Sequence, residues 1–158
     1  MMFVHMKSVV KINSPVEVSQ SIYDIIQLLC KAIKERRLVR FPYESERRNA
    51  LREIRPYMLI HRERKGNFEL EEVLELVGLT TEQMESTQRQ PGHYFLYKLD
   101  IKQIKVSNEI FHNPGVPREI VVHTKSPVVC RFMYDDEDPK EVMKSWIKIT
   151  KKNKSSKK

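Results

Sequence analysis

Three guanidinium groups, Arg40, Arg52 and Arg55, fall in one stretch of the chain together with Tyr43. A guanidinium fork grips phosphate through paired hydrogen bonds, and a tyrosine ring offers a base a face to stack on. These residue types suit an anionic, nucleotide-like ligand. They also suit a blander arrangement, with Tyr43 as a core ring whose hydroxyl reaches the rim and the arginines paired to nearby carboxylates. Other chemistries find little support. The histidines at 5, 61, 93, 112 and 123 are scattered, and no Cys-x-x-Cys is present, so no metal site is expected. The run Asp135-Asp136-Glu137-Asp138 lacks the glycine and alternate spacing of a calcium loop. The four glycines, at 66, 78, 92 and 115, do not cluster into a phosphate loop. No nucleophile sits in a recognisable signature. The chain is therefore expected not to be an enzyme and to need no cofactor.

The charge pattern sharpens this picture. The net charge of 158 residues is +8, but five lysines lie in residues 151–158. Residues 31–65 carry +7 and residues 66–100 carry −5. A basic block followed directly by an acidic one suggests neighbouring strands whose charges pair across the sheet. Arg52 could then be held by glutamates of the 66–75 segment instead of facing a ligand. Cys30 and Cys130 stand among apolar residues, 100 positions apart. They read as buried free thiols in a reducing compartment, which points to the cytoplasm. No apolar run has the ~18 residues of a membrane span, and no membrane partner is expected.

These side chains must be positioned by a helix and several short strands. Ser14-Pro15-Val16-Glu17 reads as a helix start. Ile22, Ile25, Ile26, Leu29 and Ile33 then form one apolar stripe, and the helix is expected to end near 35 or 36. Val39, Phe41 and Tyr43 alternate as a strand that ends at Pro42 or runs along an edge. Residues 54–60 form a second strand. Lys65-Gly66-Asn67 is a turn, and residues 68–76 a third strand with Glu69, Glu71 and Glu75 facing water. A loop over 78–92 contains one helical turn at 81–85. Residues 94–99 form a fourth strand and 101–106 a short fifth. Beyond the break at 113–117, strands at 119–123 and 128–134 and a short helix from Asp138 are expected.

The order of four segments resembles the WYL-domain family. They are Lys31–Tyr43, then Arg52-Glu53-Ile54-Arg55-Pro56-Tyr57, then Gly66-Asn67-Phe68-Glu69-Leu70, then Phe95–Asp100 running on to Ile104 and Phe111. The likeness covers residues 17–111. It implies an Sm-like β-barrel with a basic ligand-binding groove and a link to transcription control or phage defence. Carried onto this chain, the family's arginine falls on Arg52, and its closing-strand cations fall on Lys98 or, with a shift of one residue, Lys102. Two departures weaken the match: Glu69 replaces the tyrosine of the naming tripeptide, and lysine replaces arginine in the closing strand, giving a point charge without a fork.

The expected architecture is α+β and mostly β: an N-terminal helix, a small five-stranded Sm-like barrel, and a C-terminal strand pair with a short helix. The expected division is an arm over 1–16, the barrel domain over 17–112, an appendage over 113–150 and a disordered tail over 151–158. Residues 1–16 are too short for a preceding helix-turn-helix, so the chain reads as a lone sensor. The expected function is ligand sensing or regulation, with single-stranded nucleic acid or a nucleotide as ligand and Arg40, Tyr43, Arg52, Arg55, Lys98 and Lys102 as contacts. The alternative is a module for homodimerisation or protein docking that binds no nucleic acid.

Overall fold

A computed structural model of the chain describes residues 15–45, 49–62, 73–87 and 89–152. Helix α1, Gln20–Lys34, buries the expected stripe of Ile22, Ile25, Ile26, Leu29 and Ile33, together with Ala32. It starts later than the sequence suggests. Ser19 is the N-cap, its hydroxyl accepting from the Ile22 amide at 3.4 Å, and Val16–Val18 before it form strand β1. The expected cap, Ser14, lies outside the described residues. Replacing Ser19 with alanine is expected to lower stability by ~1 kcal/mol in urea denaturation, because it leaves a first-turn amide without its acceptor.

The main sheet has the order β5-β4-β3-β2-β6. Its strands are β2 (Arg37–Glu44), β3 (Asn49–His61), β4 (Leu74–Thr80), β5 (Gly92–Phe95) and β6 (Lys105–Ile110). A further strand, β7 (Val128–Arg131), pairs with β3. Long strand β3 organises the whole. One of its edges holds β2 over residues 49–54 and β7 over 58–60, while β4 follows residues 54–61. At Pro56 the β3–β4 register slips before Met58, because proline offers no N–H to the ladder. A Cβ on Gly78, the partner of Pro56, would run into the Arg55 carbonyl oxygen, so only glycine fits beside this bulge.

The fold is α+β and mostly strands, with helices α1, α2 (Arg118–Val122) and α3 (Pro139–Met143). The five-stranded closed barrel expected from the resemblance is corrected to an open sheet. The Tyr43 hydroxyl accepts from the Phe95 amide at 2.9 Å, so β2 and β5 curl towards each other. Among the described residues, however, no strand pairing closes β5 onto β6. The expected strand at 119–123 is instead α2, so β7 has no hairpin partner there and joins the main sheet. Asp138 caps α3 as expected, its carboxylate accepting from the Lys140 amide. Strand β8 (Ile149–Lys151) runs parallel to β1, which places Lys151 in regular structure and not in a tail.

The core lies between α1 and the sheet, with Phe41, Tyr57, Leu59, Leu76 and Phe132 fully buried. Two expectations about its edges are corrected. Cys30 on α1 and Cys130 on β7 are joined in a disulfide, with their Cα atoms 5.9 Å apart. The inference of a reducing compartment, which rested on free thiols, loses that support. Glu75 is buried at 2% exposure and does not face water, because every residue of β4 from Leu74 to Leu79 is covered. Arg62 and His93 approach its carboxylate at 3.3 and 3.0 Å. No helix among the described residues is long and apolar enough to cross a membrane.

A cation and aromatic cluster at the β2–β5 rim

Strand alternation sorts the six candidate residues. Along β2, Val39, Phe41 and Tyr43 turn inward and Arg40, Pro42 and Glu44 outward. Across the ladder Phe41 pairs with Arg52 and Arg40 with Glu53. Directly opposed residues in an antiparallel pair share a face, so Arg52 stands on the Tyr43 side and Arg40 on the other. The odd spacing of Arg52 and Arg55 therefore separates them.

Tyr43, Arg52 and Lys98 come together. The Arg52 guanidinium carbon lies 5.9 Å from the centre of the Tyr43 ring, and the Lys98 ammonium 5.3 Å from it. Both fall within cation–π range. Lys98 also donates to the Glu44 carbonyl at 3.3 Å and lies 5.8 Å from the Phe95 ring. Arg52 donates to the Ser45 hydroxyl at 3.4 Å. Tyr43 itself is 7% exposed and meets Phe41 and Tyr94 edge-on. Burial pushes its phenol above the usual tyrosine range, partly offset by the hydrogen bond from Phe95. Its ring is a base plate for the two cations, not an open stacking surface.

The open ring is Tyr97, half exposed and 5.5 Å from Phe95. Reading 94–99 as one strand hid it. The chain leaves β5 at Phe95 and makes a 3-10 turn over Leu96–Lys98, which buries Leu96 and turns Tyr97 and Lys98 out. The signal available in the sequence was the pair Tyr97-Lys98 flanked by buried leucines 96 and 99.

The remaining three candidates stand apart. Arg40 donates to Glu53 at 2.7 Å, and Glu53 also accepts from the Thr81 hydroxyl at 2.6 Å. The Thr81 and Arg40 hydrogen bonds hold the Glu53 carboxyl below its ordinary value. Arg40 thus has an ion-pair partner on the adjacent strand. Arg55 donates to the Asn113 carbonyl at 2.9 Å and lies 5.7 Å from the Phe111 ring. Burial, and then nearby Arg89, lower its guanidinium from the usual arginine range. Lys102 is exposed on the next 3-10 turn, where its amide donates to Asp100. Glu69 and Glu71 lie outside the described residues. Among those described, no group of three histidine, cysteine or acidic side chains is placed to hold a metal ion.

Comparison with known proteins agrees with the family resemblance. Residues 24–66, from α1 through β3, match the family model of the WYL domain. Among solved structures, proteasome accessory factor B/C (PafBC) of Arthrobacter aurescens aligns at 19% identity with a TM-score of 0.43. That alignment covers 67% of this chain and 14% of the other. No curated protein matches the chain.

Proposed function

We propose that this chain, whose residues 24–66 match a WYL domain, is a regulatory module that senses an anionic ligand and acts by binding, not by catalysis. The ligand class it fits is single-stranded nucleic acid or a nucleotide. One observation carries the reading: Arg52 and Lys98 converge on the Tyr43 ring beside the exposed Tyr97. The cations supply phosphate contacts and Tyr97 supplies a stacking face. Arg40 stands on the opposite face of the sheet, against Glu53, so the working set at the rim is Arg52, Lys98 and Tyr97, with Tyr43 and Phe95 as their support.

The test is titration of a short fluorescent single-stranded oligonucleotide at several salt concentrations. Two phosphate contacts predict a log–log slope of about −1.4, from roughly −0.7 per phosphate on single strands. Arg52→Ala or Lys98→Ala should each reduce the slope by about 0.7, and Tyr97→Ala should cost ~1–3 kcal/mol with the slope unchanged. Affinity that does not respond to salt, or that survives Arg52→Ala with Lys98→Ala, refutes the reading.

A second reading is a homodimer through β6. Among the described residues the outer edge of β6 has no strand partner, and Val106 and Ile110 are 36% and 55% exposed. An exposed edge with apolar side chains is a template for pairing. Sedimentation at high protein concentration separates the two readings, since a strict monomer excludes the second.

A further inference from the structure

A cleft of about 770 Å³ opens between α1, β7 and α3. Its size lies in the range of small-molecule pockets, roughly 300–1,000 Å³. It shares no lining residue with the rim cluster. The Cys30–Cys130 disulfide lies in its lining, and Met133, Pro139, Met143 and Trp146 give it an apolar character. Met143 is half exposed, an apolar side chain left facing the opening.

The charges around the cleft are not balanced. Of its two acidic or cationic pairs, Glu35 accepts from Arg37 at 2.9 Å, and Arg131 is held by Glu137 at 2.7 Å. That leaves Lys31 and Lys34, both on the last turn of α1 and both lining the cleft. Among the described residues neither makes an ion pair. An apolar pocket lined by two ammonium groups that make no ion pair among the described residues complements an apolar body ending in an anionic group, and a carboxylate is the simplest such group. A cationic amphiphile would meet like charge. A fully polar anion would leave the methionines and Trp146 in contact with water.

We infer that the α1–β7–α3 cleft is a binding site for an amphipathic monocarboxylate, such as a medium-chain fatty acid or an aromatic acid. The apolar body lies against Met133, Met143 and Trp146, and the carboxylate sits between Lys31 and Lys34. The inference does not rest on the nucleic-acid reading, because the two sites use different side chains.

The chain has one tryptophan, and it lines this cleft, so tryptophan emission reports on this side of the fold and not on the rim cluster, and the lysine and Met143 variants assign the response to the cleft. The experiment titrates the oxidised full-length protein with dodecanoate, below its micelle concentration, and with dodecyltrimethylammonium as the charge-reversed control. Dodecanoate should give a saturable change in Trp146 emission that the ammonium compound does not. Lys31→Glu with Lys34→Glu should weaken dodecanoate at least tenfold, and both are exposed substitutions that leave the core intact. Met143→Asp, also at the surface, should weaken it similarly. Arg52→Ala should leave it unchanged, which keeps failure of this site distinguishable from failure of the rim site. Equal responses to both amphiphiles, an absent response, or full affinity in the double lysine variant would overturn the proposal.

Discussion

Reduction of the Cys30–Cys130 disulfide is expected to lower stability by about 2–4 kcal/mol, the usual range for a native disulfide. The bridge spans 100 positions, and closing a loop of that size restricts the unfolded chain by up to ~4.7 kcal/mol in the chain-entropy model. It also ties α1 to β7, two elements that pack on β3 from different parts of the sequence. At roughly 2–4 °C per kcal/mol for a chain of this size, the midpoint of thermal unfolding should fall by about 5–15 °C. Paired denaturation curves with and without reductant measure the effect. Cys30→Ser with Cys130→Ser should reproduce the reduced curve and be insensitive to reductant. A difference below ~1 kcal/mol would mean that packing of β7 on β3 holds this junction without the covalent link.

The bridge shows where sequence reading stops. Two cysteines 100 positions apart say nothing about each other until β7 is known to pair with β3, and that pairing was hidden by a misread neighbour. Glu119-Ile120-Val121-Val122 is rich in β-branched residues and looks like a strand. Pro117 at the N-cap and the short reach back to β7 make it a helical turn instead, so tertiary context overrode propensity. By contrast, the stripe on α1 and the alternation Val39-Phe41-Tyr43 were legible, because a single period decides which face is buried. Glu75 defeated the same logic. Alternation predicted a wet face, but β4 is covered on both sides, and Arg62 and His93 meet the buried carboxylate.

For the candidate residues, the sequence anticipated part of the geometry. Register places Arg52 with Tyr43 and sets Arg40 and Arg55 on the opposite face, as odd spacing requires. It did not reveal that Glu53 on the neighbouring strand would engage Arg40, since Glu53 is one of five glutamates inside the basic block and only the strand register sets it opposite Arg40. Nor did it reveal the exposed Tyr97, because a three-residue 3-10 turn leaves no periodic trace.

The second large effect is expected at Arg131 and Glu137. Their side chains are only 6% and 10% exposed. The guanidinium donates to both carboxylate oxygens, at 3.0 and 2.7 Å, and to the Phe132 carbonyl at 2.7 Å. The Tyr134 amide donates to the same carboxylate at 2.9 Å. Glu137→Ala would leave a buried guanidinium without its counter-ion, at a cost of about 3–5 kcal/mol. Replacing both residues with apolar side chains of similar volume, as Arg131→Met with Glu137→Leu, should cost less than the single change, because no charge then remains buried alone. The pair also sets an acid limb. Hydrogen bonds from Arg131, and then from the Tyr134 amide, hold the Glu137 carboxyl below its ordinary 4.5. A carboxyl depressed in the folded state stabilises the fold above the unfolded value and loses that contribution as pH falls through the folded one. The stability gap between the native chain and Glu137→Gln should therefore be widest near neutral pH and narrow as pH drops below about 4.5. Urea denaturation of both proteins from pH 7 down to the acid limb tests this, and a gap that stays constant, or a Glu137→Ala cost under ~1 kcal/mol, would show that the buried pair contributes little net stability.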